Sequence, residues 1–222
     1  MKRVYVIGDS ISIHYGPYLQ QVLRGVMEYG RKEGEEEALL NLDQPQGANG
    51  GDSAMVLEFL RAKSQTGGIA AELLLLNCGL HDIKTNPATG GKQVPLVRYR
   101  ENLEAIAALV AQLGPALVWM RTTPCDERVH NSQPQIAFHR FAADCAAYNQ
   151  AADQVMAAHG VPIIDLHTFT ANLGEDLYCD HVHFHEHIRA QQAAFLAGWL
   201  SGLADSGALA SRSKKPLKEG NS

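Results

Sequence analysis

The run of four leucines at 73–76, inside the segment AELLLLNCG (71–79), restricts the fold more than any other part of the chain. A strand with one face in water alternates apolar and polar side chains, so an unbroken apolar run predicts a strand buried on both faces. Such strands are typical of parallel sheets covered by helices on both sides. The leucine run therefore predicts the central strand of an α/β sandwich.

Further strands alternate with helices along the rest of the chain. Apolar, β-branched runs predict strands at 3–8, 38–42, 116–124 and 161–167. Helical periodicity predicts helices at 16–32, 52–64, 96–113, 138–159 and 186–203. This order predicts a three-layer α/β/α sandwich with a five-stranded, mainly parallel sheet.

The length of 222 residues and the apolar share of 45% match one globular domain with a full-sized core. We place that domain at 1–205. The segment 206–222 loses the apolar period and gains lysines, so we expect a disordered C-terminal tail there.

Charge and hydropathy argue against nucleic acid and membrane as partners. The formal net charge is −5 and the isoelectric point is near 6.0, which offers no broad positive surface to a phosphate backbone. No apolar run approaches the roughly 20 residues that span a bilayer, and the N-terminus does not resemble a signal peptide. Because the N-terminus does not resemble a signal peptide, we expect a cytoplasmic protein. The four cysteines form no CxxC pair, and we expect them to be reduced thiols.

In a doubly wound sheet, ligands bind beyond the carboxyl ends of the strands, so residues with a chemical role are expected just after strands. Three short segments occupy such positions: GDS (8–10), NGGD (49–52) and GLHD (79–82). A fourth candidate, DLYCDHVHFHEH (176–187), precedes the last helix.

These segments contain the groups that acyl transfer requires. Ser10 supplies a hydroxyl nucleophile, His183 an imidazole base, and Asp180 a carboxylate that orients the base. A carboxylate three residues before its histidine, in a turn, can reach Nδ1 of the ring and leave Nε2 facing the nucleophile. The glycine turn at Gly50 and Gly51 offers backbone N–H groups to a developing oxyanion.

The same segments resemble the sequence blocks of the SGNH hydrolases, also called the GDSL esterase and lipase family, and the resemblance runs over residues 3–203. GDSIS (8–12) resembles the nucleophile block, NGGDS (49–53) the glycine block, and DHVH (180–183) the Asp-x-x-His block. The resemblance implies a flavodoxin-like SGNH hydrolase fold. It also implies a serine esterase that needs no cofactor and no metal.

The resemblance further implies an oxyanion hole formed by the N–H groups of Ser10 and Gly51 together with a side-chain donor after the third strand. The family usually has asparagine at that third position, whereas this chain has His81. A neutral imidazole donates one N–H, and Asp82 or a backbone carbonyl would select its tautomer. For Asp9 the resemblance implies a structural role in the turn.

Several candidate residues have two interpretations. His14 lies either at the pocket mouth or on the helix surface, and Arg121 either binds a substrate carboxylate or sugar hydroxyl at the pocket rim or forms a structural ion pair. The alternating histidines His181, His183, His185 and His187 admit a metal site, but no HExxH spacing supports one and we predict none.

The loops at 83–95, 125–137 and 168–179 are polar and would form the pocket rim. Their composition favours a small polar ester, such as an O-acetylated carbohydrate, over a long acyl chain. Three rival hypotheses remain from the sequence: an acyltransferase of the same fold, a non-catalytic binding module whose oxyanion hole is impaired by His81, and a metal-dependent hydrolase.

Overall fold

A computed structural model describes residues 1–205 as a parallel five-stranded sheet flanked by helices, which confirms the predicted α/β sandwich. The expected tail at 206–222 lies outside the described residues. The strands are Arg3–Ile7 (β1), Glu28–Arg31 (β2), Leu73–Leu76 (β3), Ala116–Met120 (β4) and Ile163–Ile164 (β5). The helices are Ser10–Val22 (α1), Glu35–Leu40 (α2), Ser53–Gln65 (α3), Leu96–Leu113 (α4), Glu127–Asn131 (α5), Ala142–Ala158 (α6), Leu166–Ala171 (α7) and Glu186–Asp205 (α8).

The sheet has the strand order β2-β1-β3-β4-β5, and every neighbouring pair is parallel. The leucine run forms β3 at its centre, where Leu75 pairs with Val6 of β1 and with Val118 of β4. All four leucines are fully buried, as predicted for a strand covered on both faces. Because the strands are parallel, the loops that follow β1, β3 and β4 meet at one edge of the sheet.

The second strand was predicted in the wrong place. The segment 38–42 begins in helix α2, whereas β2 lies at Glu28–Arg31, inside the segment predicted as helix. Helix α1 starts and ends earlier than predicted, and Gly25, at φ +78°, helps the chain turn into β2. Of the apolar residues that suggested a strand, Leu39 and Leu40 are on the helix surface, 56% and 83% exposed, whereas Ala38 is buried.

The helices that cover the sheet also pack against one another. Helix α1 packs against α8, while α4 packs against both α3 and α6. Tyr99 of α4 is fully buried, and its hydroxyl donates to the carbonyl of Cys78 at 3.0 Å, just beyond β3. None of the helices described here combines the length and apolar character needed to cross a membrane.

Candidate active site

Ser10 is the first residue of α1, directly beyond the turn that follows β1. Asp9 caps this helix, since its carboxylate accepts from the N–H of Ile11 at 3.0 Å. Ser10 is therefore free of the capping role that serines often have at this position. Helical geometry leaves its backbone N–H without an acceptor within the helix, so the group is available to a ligand.

His183 and Asp180 complete a hydrogen-bonded line to this serine. Nδ1 of His183 lies 2.7 Å from Oδ2 of Asp180, and Nε2 lies 2.8 Å from Oγ of Ser10. Because a carboxylate only accepts, the proton is on Nδ1 and Nε2 accepts from the serine hydroxyl. The structure thus brings together the three residues that the sequence assigned to the nucleophile, the base and the orienting acid.

The turn around Asp180 holds its carboxylate in this position. Oδ1 accepts from the backbone N–H groups of Val182 at 2.8 Å and His183 at 2.7 Å. Partial burial acts to raise the pKa of Asp180, but these hydrogen bonds and the charge of His183 outweigh it and hold the pKa well below its usual range. The carboxylate is therefore ionised when His183 takes up a proton.

His14 packs against the imidazole of His183 rather than on an open helix surface. Its ring centroid lies 4.9 Å from that of His183, with an interplanar angle of 59°. Burial, followed by the charges of His183 and Arg189, lowers the pKa of His14 to about 4. Nδ1 of His14 is buried and has no hydrogen-bond partner within residues 1–205. His14 is thus a neutral neighbour of the base.

The glycine turn at 49–52 lies next to the loop that precedes Ser10, but the element that precedes the turn is not the one predicted. It follows α2 and an irregular segment instead of a strand. The N–H of Gly50 donates to the carbonyl of Gly8 at 2.8 Å, which ties the turn to the loop after β1. This bond to the backbone occupies the Gly50 N–H, whereas the N–H of Gly51, the glycine that the resemblance assigns to the oxyanion hole, is bonded only to a side chain.

Gly51 adopts a conformation that requires glycine. Its φ is +72°, and a Cβ here would lie 2.6 Å from Sδ of Met55 and 2.9 Å from Cβ of Pro45. Its N–H donates to Oδ1 of Asn49 at 3.0 Å. A substrate oxyanion at this N–H would therefore share the hydrogen bond with Asn49 or replace it.

His81 is buried, and within residues 1–205 no hydrogen-bond partner of its ring is present. Burial and the charges of Lys84 and Arg140 hold its pKa well below the usual value, so the ring is neutral. The expectation that Asp82 selects its tautomer is wrong. Asp82 instead accepts from the N–H of Ser53 at 2.9 Å, which fixes the loop after β3 to the start of α3.

Arg121 forms structural ion pairs instead of facing a substrate. Nε and Nη2 donate to the two carboxylate oxygens of Asp153 at 3.0 and 2.7 Å, and Nη1 donates to Asp165 at 2.5 Å. These carboxylates belong to α6 and to the N-cap of α7. The assignment of Arg121 to a substrate rim is therefore corrected to the ion-pair alternative.

The histidine-rich segment does not converge on one metal site. Asp180, His181 and His183 have potential ligand atoms within 4.8 Å of one another. Two of these residues form the Asp180–His183 hydrogen bond, with which a cation at this point would compete. His185 lies 3.4 Å from an exposed aspartate, and His187 is exposed. The prediction that catalysis uses no metal stays a prediction.

A group of polar residues beside His183 was not anticipated from the sequence. Nε2 of His181 donates to Oδ2 of Asp43 at 3.2 Å, and Nδ1 of His181 lies 2.9 Å from Nδ1 of His130. Arg140 is 2% exposed and donates through Nε to the carbonyl of Leu80 at 2.9 Å. No sequence signal groups these residues, because they come from separate loops.

Comparison with known proteins identifies the family of the chain. The model of the GDSL-like Lipase/Acylhydrolase family matches residues 6–188. A search of curated proteins gives no match.

Solved structures resemble the fold at low sequence identity. A lipase/acylhydrolase from Enterococcus faecalis superposes with a TM-score of 0.68 and 16% identity, over 91% of this chain and 96% of the other. The acetyl xylan esterase AlAXEase gives 0.65 and 14%, over 89% and 99%. Est24, a carbohydrate acetylesterase from Sinorhizobium meliloti, gives 0.60 and 11%, over 91% and 100%. The chain belongs to the GDSL-like lipase/acylhydrolase family and is an ester hydrolase.

Proposed function

We propose that this protein hydrolyses a small polar carboxylic ester, such as an O-acetylated carbohydrate, through an acyl-enzyme on Ser10. The observation that supports the mechanism is the hydrogen-bonded line from Asp180 through His183 to Ser10, with distances of 2.7 and 2.8 Å. This is the arrangement that a serine nucleophile requires: a base in contact with the hydroxyl and a carboxylate in contact with the base.

In the proposed reaction, Oγ of Ser10 attacks the acyl carbon while its proton passes to Nε2 of His183. The negative charge that develops on the carbonyl oxygen is held by the N–H groups of Ser10 and Gly51 and by the neutral ring of His81. His183 then gives its proton to the leaving alcohol. Water, activated by the same imidazole, hydrolyses the acyl-enzyme, so the cycle needs no cofactor and no metal.

The substrate class rests on two further points. The rim loops at 83–95, 125–137 and 168–179 are rich in polar side chains, which suits a sugar alcohol better than a long acyl chain. Two structures of similar fold are an acetyl xylan esterase and a carbohydrate acetylesterase. A cytoplasmic location remains our expectation from the sequence.

The first experiment compares hydrolysis of p-nitrophenyl acetate by the wild type, Ser10→Ala and Ser64→Ala. Ser64 is an exposed serine of α3 whose hydroxyl donates to a helix carbonyl, so it is a matched control for loss of a hydroxyl. Mass spectrometry after treatment with a fluorophosphonate should find one adduct on Ser10. Turnover and adduct should disappear only in Ser10→Ala.

A folded wild type with neither turnover nor adduct would contradict the serine mechanism and favour a binding module. Adding an unacetylated sugar to the wild-type reaction separates hydrolysis from acyl transfer. Hydrolysis predicts that acetate forms at the same rate with and without the sugar. An acyltransferase would instead produce acetylated sugar in place of acetate.

A further inference from the structure

Four basic side chains lie together next to the catalytic histidine. We call them the cationic cluster, after the charges of Lys84 and Arg140; its other members are His181 and His130, whose ring is neutral because burial and the charge of Arg140 lower its pKa to about 4. The ring centroid of His181 is 5.9 Å from that of His183, and the ring of His130 is 4.9 Å from that of His181. Nη1 of Arg140 is 3.5 Å from Nδ1 of His130. The cluster thus extends from the triad into the loop that precedes α6.

Phe138 contacts both permanent charges of the cluster, Lys84 and Arg140. The ammonium of Lys84 lies 4.4 Å from the centre of the Phe138 ring, and the guanidinium carbon of Arg140 lies 4.9 Å from it. Both Lys84 and Phe138 are only partly buried, so the cluster is within reach of the solvent. Two cations thus contact one aromatic ring.

Neither of these two cations has an acidic partner in the part of the chain that the structure describes. Nε of Arg140 donates to the carbonyl of Leu80 and Nζ of Lys84 to the carbonyl of Asp43, both at 2.9 Å, but no carboxylate oxygen forms an ion pair with either. Nη2 of Arg140 has no protein partner. The chain contains 24 acidic and 19 basic residues, so a shortage of carboxylates is not the reason.

A buried guanidinium without a direct ion pair is unfavourable, because its desolvation is only partly compensated. The charges of Asp43 and Asp9 act on Arg140, but from beyond ion-pair distance. Burial and then the charge of Arg140 lower the pKa of Lys84 to about 8, while the carboxylates of Asp43, Asp52 and Asp9 act in the opposite direction. An anion at Nη2 of Arg140 would supply the direct partner that the guanidinium lacks. Leu80, whose carbonyl Arg140 holds, directly precedes His81, so such an anion would lie close to the reacting ester.

We propose that the cationic cluster binds a carboxylate of the substrate itself, so that the natural ester is acidic. This inference rests on the proposed function and narrows its substrate class. The planar guanidinium of Arg140 is suited to a carboxylate, and Lys84 adds a second charge. The carboxylate belongs either to the alcohol part, as in an acetylated uronic acid, or to the acyl part, as in a half-ester of a dicarboxylic acid.

The test compares two matched pairs of esters. One pair is the O-acetylated methyl glycoside of galacturonic acid and that of galactose, and the other is p-nitrophenyl hemisuccinate and p-nitrophenyl butyrate. In one of the pairs, kcat/KM should be about tenfold or more higher for the acidic member, as expected for hydrogen bonds to a charged group. The pair that shows the preference identifies the part of the ester that carries the acid.

Variants separate the cluster from the catalytic machinery. Lys84→Gln should lower the preference for the acidic ester several-fold and leave kcat/KM for the neutral ester unchanged. Lys92→Gln is the matched control, because Lys92 also lies over a phenylalanine ring but already has the carboxylate of Asp144 as a partner. Loss of the preference in the Lys92 variant as well would point to general surface charge and overturn the proposal.

The outcomes distinguish failure of the acidic-substrate inference from failure of the proposed esterase function. Turnover of the neutral esters without any preference for acidic ones overturns the acidic-substrate inference but leaves the serine esterase in place. Absence of turnover with all four esters contradicts the esterase. In that case, calorimetric titration of Ser10→Ala tests the cluster alone, with the methyl glycosides of galacturonic acid and galactose as one pair and the monoamide of succinic acid and butyramide as the other. Equal binding within both pairs would overturn the proposal.

Discussion

Oγ of Ser10 lies 2.8 Å from Nε2 of His183, although the two residues are 173 positions apart in the chain. Ser10 begins α1, and His183 lies three residues before α8 begins at Glu186. The two helices pack against each other, and the hydroxyl of Tyr18 donates to Glu186 at 2.6 Å across them. The packing of α1 against α8 therefore helps to hold Ser10 next to His183.

The carboxylate of Asp180 should be essential for rate but not for folding. In Asp180→Asn, the amide oxygen still accepts from the backbone N–H groups of the turn, so the turn is kept. The amide cannot stabilise an imidazolium and favours the wrong tautomer of His183. We expect kcat to fall about 10²- to 10⁴-fold. Steady-state kinetics with p-nitrophenyl acetate, together with circular dichroism, would measure both effects.

Asp176→Asn is the control for this change. Asp176 is an exposed aspartate in the same segment and lies 3.4 Å from another histidine, His185. Its removal should leave kcat within about twofold of the wild type, since exposed ion pairs contribute little. Equal losses in the two variants would mean that Asp180 does not act through His183.

His81 should act as a neutral donor over the whole working pH range. Burial, followed by the charges of Lys84 and Arg140, holds its pKa well below the usual value of about 6.5, so the ring is neutral where an ordinary histidine titrates. His81→Ala should lower kcat about 10²- to 10³-fold, as removal of an oxyanion donor does. His81→Asn, which restores an N–H donor, should recover most of this loss. The midpoint of the acid limb of the kcat/KM profile should be the same in His81→Asn and in the wild type, and a shift would show that His81 titrates there.

The parts of the fold and site that the sequence predicts well are those defined by local patterns. The leucine run identifies β3 because a central strand is buried on both faces, and the Asp-x-x-His spacing places Asp180 against His183 because both lie in one short turn. The family match over residues 6–188 confirms the resemblance to the GDSL family that the blocks GDSIS, NGGDS and DHVH indicate. Local patterns of this kind do not depend on how distant segments dock.

The features that the sequence does not predict depend on position in the sheet or on contacts between distant loops. β2 is an edge strand of only four residues, and several of them are polar. Its hydropathy pattern therefore cannot be told apart from that of the amphipathic helix before it. The ion pairs of Arg121 require α6 and α7 to be in place. The cationic cluster likewise combines residues from separate loops, and no spacing rule relates Lys84 to Arg140.

Arg121 should contribute to stability and not to substrate binding. Arg121→Met removes the link between the end of β4 and the carboxylates of Asp153 and Asp165. Because the side chain is partly exposed, we expect a loss of about 1 kcal/mol in the free energy of unfolding, near the upper end for exposed pairs. KM should not change. Urea denaturation and ester kinetics measure the two effects.

Arg98→Met provides the comparison for this stability change. Arg98 pairs with Glu101 on the exposed surface of α4, so its loss should have a smaller effect on unfolding than that of Arg121. A raised KM in Arg121→Met with unchanged stability would restore the substrate-rim interpretation.

Gly51 and Gly90 have nearly the same φ angle in different surroundings. Comparing their alanine variants therefore separates the effect of backbone strain from the effect on the active site. Their φ angles are +72° and +71°, but a Cβ at Gly51 would collide with Met55 and Pro45, whereas nothing lies within 4 Å of one at Gly90. Alanine at either position is strained by about 1–2 kcal/mol, so both variants should lose comparable stability from this source. In Gly51→Ala the collision also displaces the backbone N–H, and kcat should fall about 100-fold. Gly90→Ala should keep wild-type kcat. Kinetics and thermal unfolding of both variants test this, and full activity in Gly51→Ala would remove its N–H from the oxyanion hole.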